Sequence, residues 1–151
     1  MNILKKIALT LAFSFTMMSC ESTRTAAFDY HSYQETTAIK VELSNVMDKA
    51  TAPYELHQTE VEALLLKIEK LKEYEKGKPN NQISFTLWEI LTDKERNLIS
   101  GFFIRWEAKK TLSPIFIEET KKQLLETLDL IIKYEITKDE ASKNELLKIA
   151  E

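Results

Sequence analysis

The sequence predicts an all-α fold: an antiparallel helical bundle of about four main helices plus a short extra helix, behind a cleaved N-terminal signal peptide. Three observations predict it. Glycine and proline are scarce, two and three in 151 residues, while Leu, Ile, Lys and Glu abound, a composition of good helix formers with few breakers. Apolar residues recur at spacings of three and four, the period of a helix face. No useful length of chain alternates as a half-buried strand does, and no internal repeat is visible.

The chain opens with "MNILKK", two lysines and no acid, followed by the uncharged, mostly apolar "IALTLAFSFTMM" and the small residue Ser19. A charged start, an apolar stretch and a small residue before a cut are the pattern of a secretory signal peptide, read here over residues 1–19. The stretch is shorter than the roughly 20 residues a helix needs to span a bilayer. Cys20, the only cysteine, follows directly. It has no partner for a disulfide within the chain, and zinc sites need several Cys or His ligands at set spacings.

The residues "MMSC" resemble the lipobox of bacterial lipoprotein precursors, with Met17 where Leu is usual and Met18 where Ala or Ser is. The resemblance covers residues 1–20 and leaves the rest of the chain unassigned. It implies cleavage before Cys20, lipid (palmitate) on that cysteine and membrane attachment in the bacterial cell envelope. Glu21, rather than Asp, follows the cysteine; by the enterobacterial sorting rule this points to the outer membrane, facing the periplasm.

Loss of Lys5 and Lys6 with the leader reduces 21 Lys+Arg to 19, against 24 Asp+Glu, a net charge of −5. The charges alternate in sign along the chain, without the basic stripe of a nucleic-acid-binding protein. Residues 20–31 read as a polar tether and residues 32–151 as a single helical domain, long enough for a hydrophobic core.

Ser32 and Glu35 in "SYQE" form a capping-box pattern that starts the first helix, whose stripe is Ile39, Leu43, Val46, Met47 and Ala50. Pro53 ends this helix or opens the next. Tyr54, Val61, Leu64, Leu65, Ile68 and Leu71 mark the second, which Gly77 and Pro79 stop in the loop "GKPNNQ". The capping patterns "TLWE" and "TDKE" predict a short helix over 86–91 and a longer one over 93–110. Ser113 as cap with Pro114 at the first helical position opens a helix over 114–136, burying Ile117, Leu124, Leu128, Ile131 and Ile132. "ASKNELLKIAE" predicts a frayed last turn or two from Ser142.

The segment 85–106 carries the densest apolar chemistry: Phe85, Trp88, Phe102, Phe103 and Trp106 within 22 residues. It is either a helix packed on two sides or a contact surface. Trp88, Arg96, Phe103, Arg105 and Trp106 are the candidates for partner or ligand contact, since Trp, Tyr and Arg dominate binding hot spots. Gly101, with Asn97 and Ala108, marks a small-residue face for a neighbouring helix, or a hinge.

No catalytic motif is found: no Gly-rich phosphate loop, no nucleophile elbow and no Ser/His/Asp set. His57 and Glu60 in "HQTE" share a face. Di-metal bundles, however, use the reverse order twice plus further glutamates, and neither a metal nor a cofactor is expected. Two readings of function follow. One is a membrane-anchored, protein-binding accessory, adaptor or inhibitor module with an envelope partner and no nucleic acid. The other is a carrier of small apolar ligands, its cavity lined by Phe102, Phe103, Trp106 and Phe116.

Overall fold

Asp29 begins the first helix: its carboxylate accepts the amides of His31 at 2.8 Å and Ser32 at 3.1 Å, which satisfies donors that an uncapped helix leaves orphaned. In the computed structural model, which describes residues 25–150, six helices follow. They are α1 (Tyr30–Asp48), α2 (Gln58–Gly77), α3 (Gln82–Thr92), α4 (Ile99–Lys109), α5 (Pro114–Thr137) and α6 (Glu140–Ala150). Two 3-10 turns, Lys49–Thr51 and Tyr54–Leu56, join α1 to α2. No strand occurs among the described residues, and the architecture is an all-α bundle. The expected signal peptide and Cys20 lie outside the described residues.

α1 packs on α2 and α5, α2 on α3, and α6 on both α5 and α3. This closes a ring of five helices at the entry end, where the N-terminal segment joins the bundle. α3 spans only half the height. After the loop 93–98, α4 completes the run to the far end, where the amide of Tyr54 bonds the Lys110 carbonyl at 3.0 Å and the amide of Leu112 bonds that of Ala50 at 2.8 Å. One stripe from each helix builds a single core: Leu43 and Met47, Leu64 and Ile68, Trp88 and Leu91, Phe102 and Trp106, Leu124 and Leu128, and Leu146.

The α1 and α2 stripes follow expectation except that Ala50 and Tyr54 fall in the two 3-10 turns and Leu65 is half-buried, as is Ile132 on α5. Ser113 with Pro114 starts α5, the Ser113 Oγ accepting the amide of Phe116 at 3.3 Å. Several boundaries differ. Ser32 does not cap α1; it is buried and donates to Glu75. The packed domain reaches back into the expected tether, because Ala26 is buried and its amide bonds the Asn80 carbonyl at 3.0 Å. Ser142 does not start α6 either. Asp139 accepts its amide at 2.8 Å, and Leu146 anchors that helix in the core.

Thr86 lies inside α3, and Thr92 closes α3 by bonding the Trp88 carbonyl at 2.7 Å. The helix expected from residue 93 begins only at Ile99. The cause is Asp93, whose carboxylate takes the amide of Glu95 at 2.9 Å, a local turn that competes with helix formation. The Arg96 carbonyl that follows occupies the space a Cβ on Gly101 would fill. Gly101 therefore admits the chain's own preceding loop, not a neighbouring helix or a hinge.

Candidate functional site

Three of the five candidate contact residues are core. Trp88, Phe103 and Trp106 are 1%, 2% and 0% exposed, which corrects the expectation that they meet a partner at the surface: two short helices, α3 and α4, must fill the interior that a single long helix fills elsewhere. The Trp106 Nε1–H donates to the Ala52 carbonyl at 2.9 Å, and its ring meets Tyr54 edge-on at 5.4 Å. The rings expected to line a ligand cavity pack on one another instead. Phe102 stacks on Phe116 at 6.1 Å and meets Phe103 edge-on at 5.5 Å.

Arg96 and Arg105 are exposed, but in separate surroundings. The Arg105 guanidinium lies 4.7 Å from the centre of the half-buried Phe116 ring, a cation–π contact at the far end. Arg96 pairs with Asp93 at 3.7 Å and edges a groove of about 690 Å³ between the loop 93–98, α5 and α6. Arg96 and Lys148 face Glu95 and Glu126 there, with Leu98 and Leu130 also lining it. This mixture of signs suits polar contacts with a partner surface better than capture of one ion.

The far end also carries Leu56 in the second 3-10 turn and Ile115 in the first turn of α5, 73% and 75% exposed, the most exposed large apolar side chains among the described residues. The salt bridge between Lys110 and Glu55 ties the second 3-10 turn to the end of α4. It holds the Glu55 carboxyl below and the Lys110 ammonium above their ordinary values.

The opposite end holds a polar cluster that the sequence reading missed. Glu75 and Glu135 are buried. Glu75 accepts from the Ser32 hydroxyl and the Asn81 side-chain Nδ2. Glu135 accepts the Asp29 amide at 2.7 Å and the Lys138 ammonium at 2.6 Å. Lys78 sits between them, 2.8 Å from the Ser32 hydroxyl, 3.4 Å from Glu75, 3.6 Å from Asp29 and 3.9 Å from Glu135. The hydroxyl of Tyr74 donates to Asp29 at 2.7 Å. Burial raises the Asp29 pKa, but the Tyr74 hydroxyl, the amides of Ser32 and His31 and the Lys78 ammonium outweigh it, so the carboxyl lies below its ordinary value.

Lys138 takes the left-handed conformation (φ 48°, ψ 29°) that closes α5. Glycine is the usual residue there; a lysine supplies the ammonium that Glu135 needs. A signal for this cluster existed in the sequence. Glu75 continues the stripe Ile68, Leu71, and Glu135 continues Leu128, Ile131, so each is a charge at a core position.

Among the described residues no group of three His, Cys, Asp or Glu is placed to hold a metal ion. His57 Nδ1 lies 3.9 Å from Glu60, whose carboxylate is engaged by Lys49. No described helix is long and apolar enough to cross a membrane. Comparison with protein-family models, curated proteins and solved structures finds no match to this chain.

Proposed function

We propose that this chain is a lipoprotein, anchored through Cys20 in the bacterial cell envelope at the outer membrane facing the periplasm. Its helical domain is a protein-binding accessory, adaptor or inhibitor module. The anchor rests on the resemblance of "MMSC" and its leader to a lipobox signal. The binding role rests chiefly on one observation: Leu56 and Ile115, the two most exposed large apolar side chains among the described residues, lie at the same far end of the bundle as Arg105. Large apolar side chains exposed at one end offer a surface for a partner to cover, and arginine is among the residues enriched at binding hot spots.

Two experiments test the two halves. Cells given labelled fatty acid should label the wild type and not Cys20→Ala; equal labelling sinks the anchor. For the module, crosslinking in cells followed by pull-down should recover an envelope protein that Leu56→Asp and Ile115→Asp lose. Val41→Asp, on the outer face of α1, should retain it. Recovery unchanged by both far-end substitutions removes that end as the contact surface.

A further inference from the structure

The entry end displays a rim of aromatic side chains. Phe28 and Tyr30 are 51% and 65% exposed. Both rings lie against Tyr33, at 6.3 and 6.4 Å between centres. Tyr74 is exposed on the α2 side of the same end, edge-on to His31 at 4.6 Å. Three of the chain's five tyrosines are thus gathered at this end's surface. Ile136, at the C-terminal end of α5, is exposed there too. The rim is rigidly mounted. The Ala26 amide is bonded to Asn80, the Asp29 amide to Glu135, and the Asp29 side chain caps α1.

The position of Cys20 says what such a rim can meet. Five residues separate Cys20 from Ala26, the first buried residue, a reach of about 20 Å when fully extended. The 24-residue α5 alone is about 36 Å long. A lipid on Cys20 therefore keeps the entry end beside the bilayer, while the far end can stand clear of it. Tyrosine and phenylalanine at that height match the headgroup layer, where an apolar ring and a wet hydroxyl are both accommodated. Acids and lysines are mixed around this end: Asp139, Glu140 and Glu73 against Lys76, Lys133 and Lys143. Ring insertion, and not attraction to anionic lipid, is then the driving term.

We propose that the entry end docks on the lipid surface, seating Phe28, Tyr30 and Tyr33 in the headgroup layer and holding the bundle upright with its far end free. This rests on the anchored reading of Cys20, so the test supplies the anchor chemically. A chain beginning at Cys20 is coupled through its single thiol to a maleimide lipid in phosphatidylcholine/phosphatidylglycerol vesicles. These vesicles also carry a nitroxide-headgroup lipid that quenches tryptophan on close approach. Trp88 and Trp106 are buried and give a constant background. Phe28→Trp should be quenched several-fold more than Ile115→Trp. The difference should persist when about ten Gly/Ser residues are inserted between Arg24 and Thr25, and when phosphatidylcholine replaces phosphatidylglycerol in the vesicles. Adding Tyr30→Ser to the lengthened chain should abolish it, with unchanged helicity by circular dichroism.

Equal quenching at both positions overturns the proposal. So does loss of the difference on lengthening the tether, which would mean enforced proximity only, or a difference that vanishes on dilution of the protein across vesicles, which would mean contact between copies. Absence of fatty-acid label in cells would defeat the anchored reading and leave this measurement standing, so the two failures are told apart.

Discussion

At the far end Tyr54, Phe102, Phe103 and Trp106 exclude water by packing ring against ring, whereas at the entry end Ser32, Glu75, Asn81 and Glu135 are as deeply buried and wholly polar. The first arrangement gains free energy from each apolar surface removed from water. The second loses hydration of its charges and recovers it only through directed hydrogen bonds. What the difference teaches is a division of labour. The rings carry stability, and the polar cluster fixes where Ala26–Asp29 joins the bundle.

The far end should show the largest effect. Trp106→Ala removes the largest fully buried ring of α4 and its bond to Ala52; it should cost about 3–5 kcal/mol, a large share of the roughly 5–15 kcal/mol available to a domain. Chemical denaturation of the chain beginning at Cys20 measures it. A midpoint near wild type would mean that the ring is not core.

The entry end should respond asymmetrically. Asp29, Glu75 and Glu135 face only Lys78 and Lys138, so the cluster carries one excess negative charge. Lys78→Met leaves three acids with one cation and should cost about 3 kcal/mol, the scale of a broken buried pair. Glu75→Gln keeps hydrogen-bonding capacity and balances the charge, and should cost about 1 kcal/mol. Equal costs for the two substitutions would show that charge balance does not govern this end.

The two glycines separate in sign. An alanine Cβ at Gly101 would meet the Arg96 carbonyl, whereas Gly77 has nothing within 4 Å and no positive φ. Gly101→Ala should destabilise by about 1–2 kcal/mol, crowding exceeding the helix-propensity gain of about 1 kcal/mol. Gly77→Ala should be neutral or stabilise by up to about 1 kcal/mol. Thermal midpoints of the two variants on opposite sides of wild type are the expected outcome; a raised midpoint for Gly101→Ala would remove the close approach.

How far these regions were legible follows from the kind of pattern each writes. The α1 and α2 stripes and the Ser113–Pro114 start of α5 are short-range signals, and they read true but for Ala50 and Tyr54, which the chain's turn between the two helices takes into 3-10 segments. Ser32 and Ser142 misled because each stands three residues after an aspartate, Asp29 and Asp139, that takes the cap and leaves the serine to other partners. The break at 93–98 was hidden because Thr92 and Glu95 mimic a capping box while Asp93 makes a turn. The aromatic segment was visible as chemistry but not as core or surface, a distinction that depends on where α6 and α5 fall. The buried Glu75 and Glu135 required knowing that Lys78, from the loop after α2, and Lys138, just past α5, reach one place.

The smallest expected effect concerns acid. Asp29 has its pKa lowered in the folded chain from an ordinary 3.8, so its carboxylate contributes stability that is complete above that ordinary value and is lost as pH falls through the lowered folded one. Asn caps a helix about as well as Asp, so Asp29→Asn removes the charge with little loss of the cap. The stability gap between wild type and Asp29→Asn should therefore be constant from neutral pH to about pH 4 and shrink below it. At the far end the carboxyls similarly lowered are Glu55 and Glu60, exposed partners of Lys110 and Lys49, and exposed pairs contribute little. Below about pH 4, protection against hydrogen exchange, taken relative to the intrinsic rate at each pH, should accordingly fall first at the amides of Ala26, His31 and Ser32, with the Trp106 indole still protected. If the indole exchanges together with those amides, or the gap does not change with pH, the two ends open as one unit and the contrast drawn between them fails.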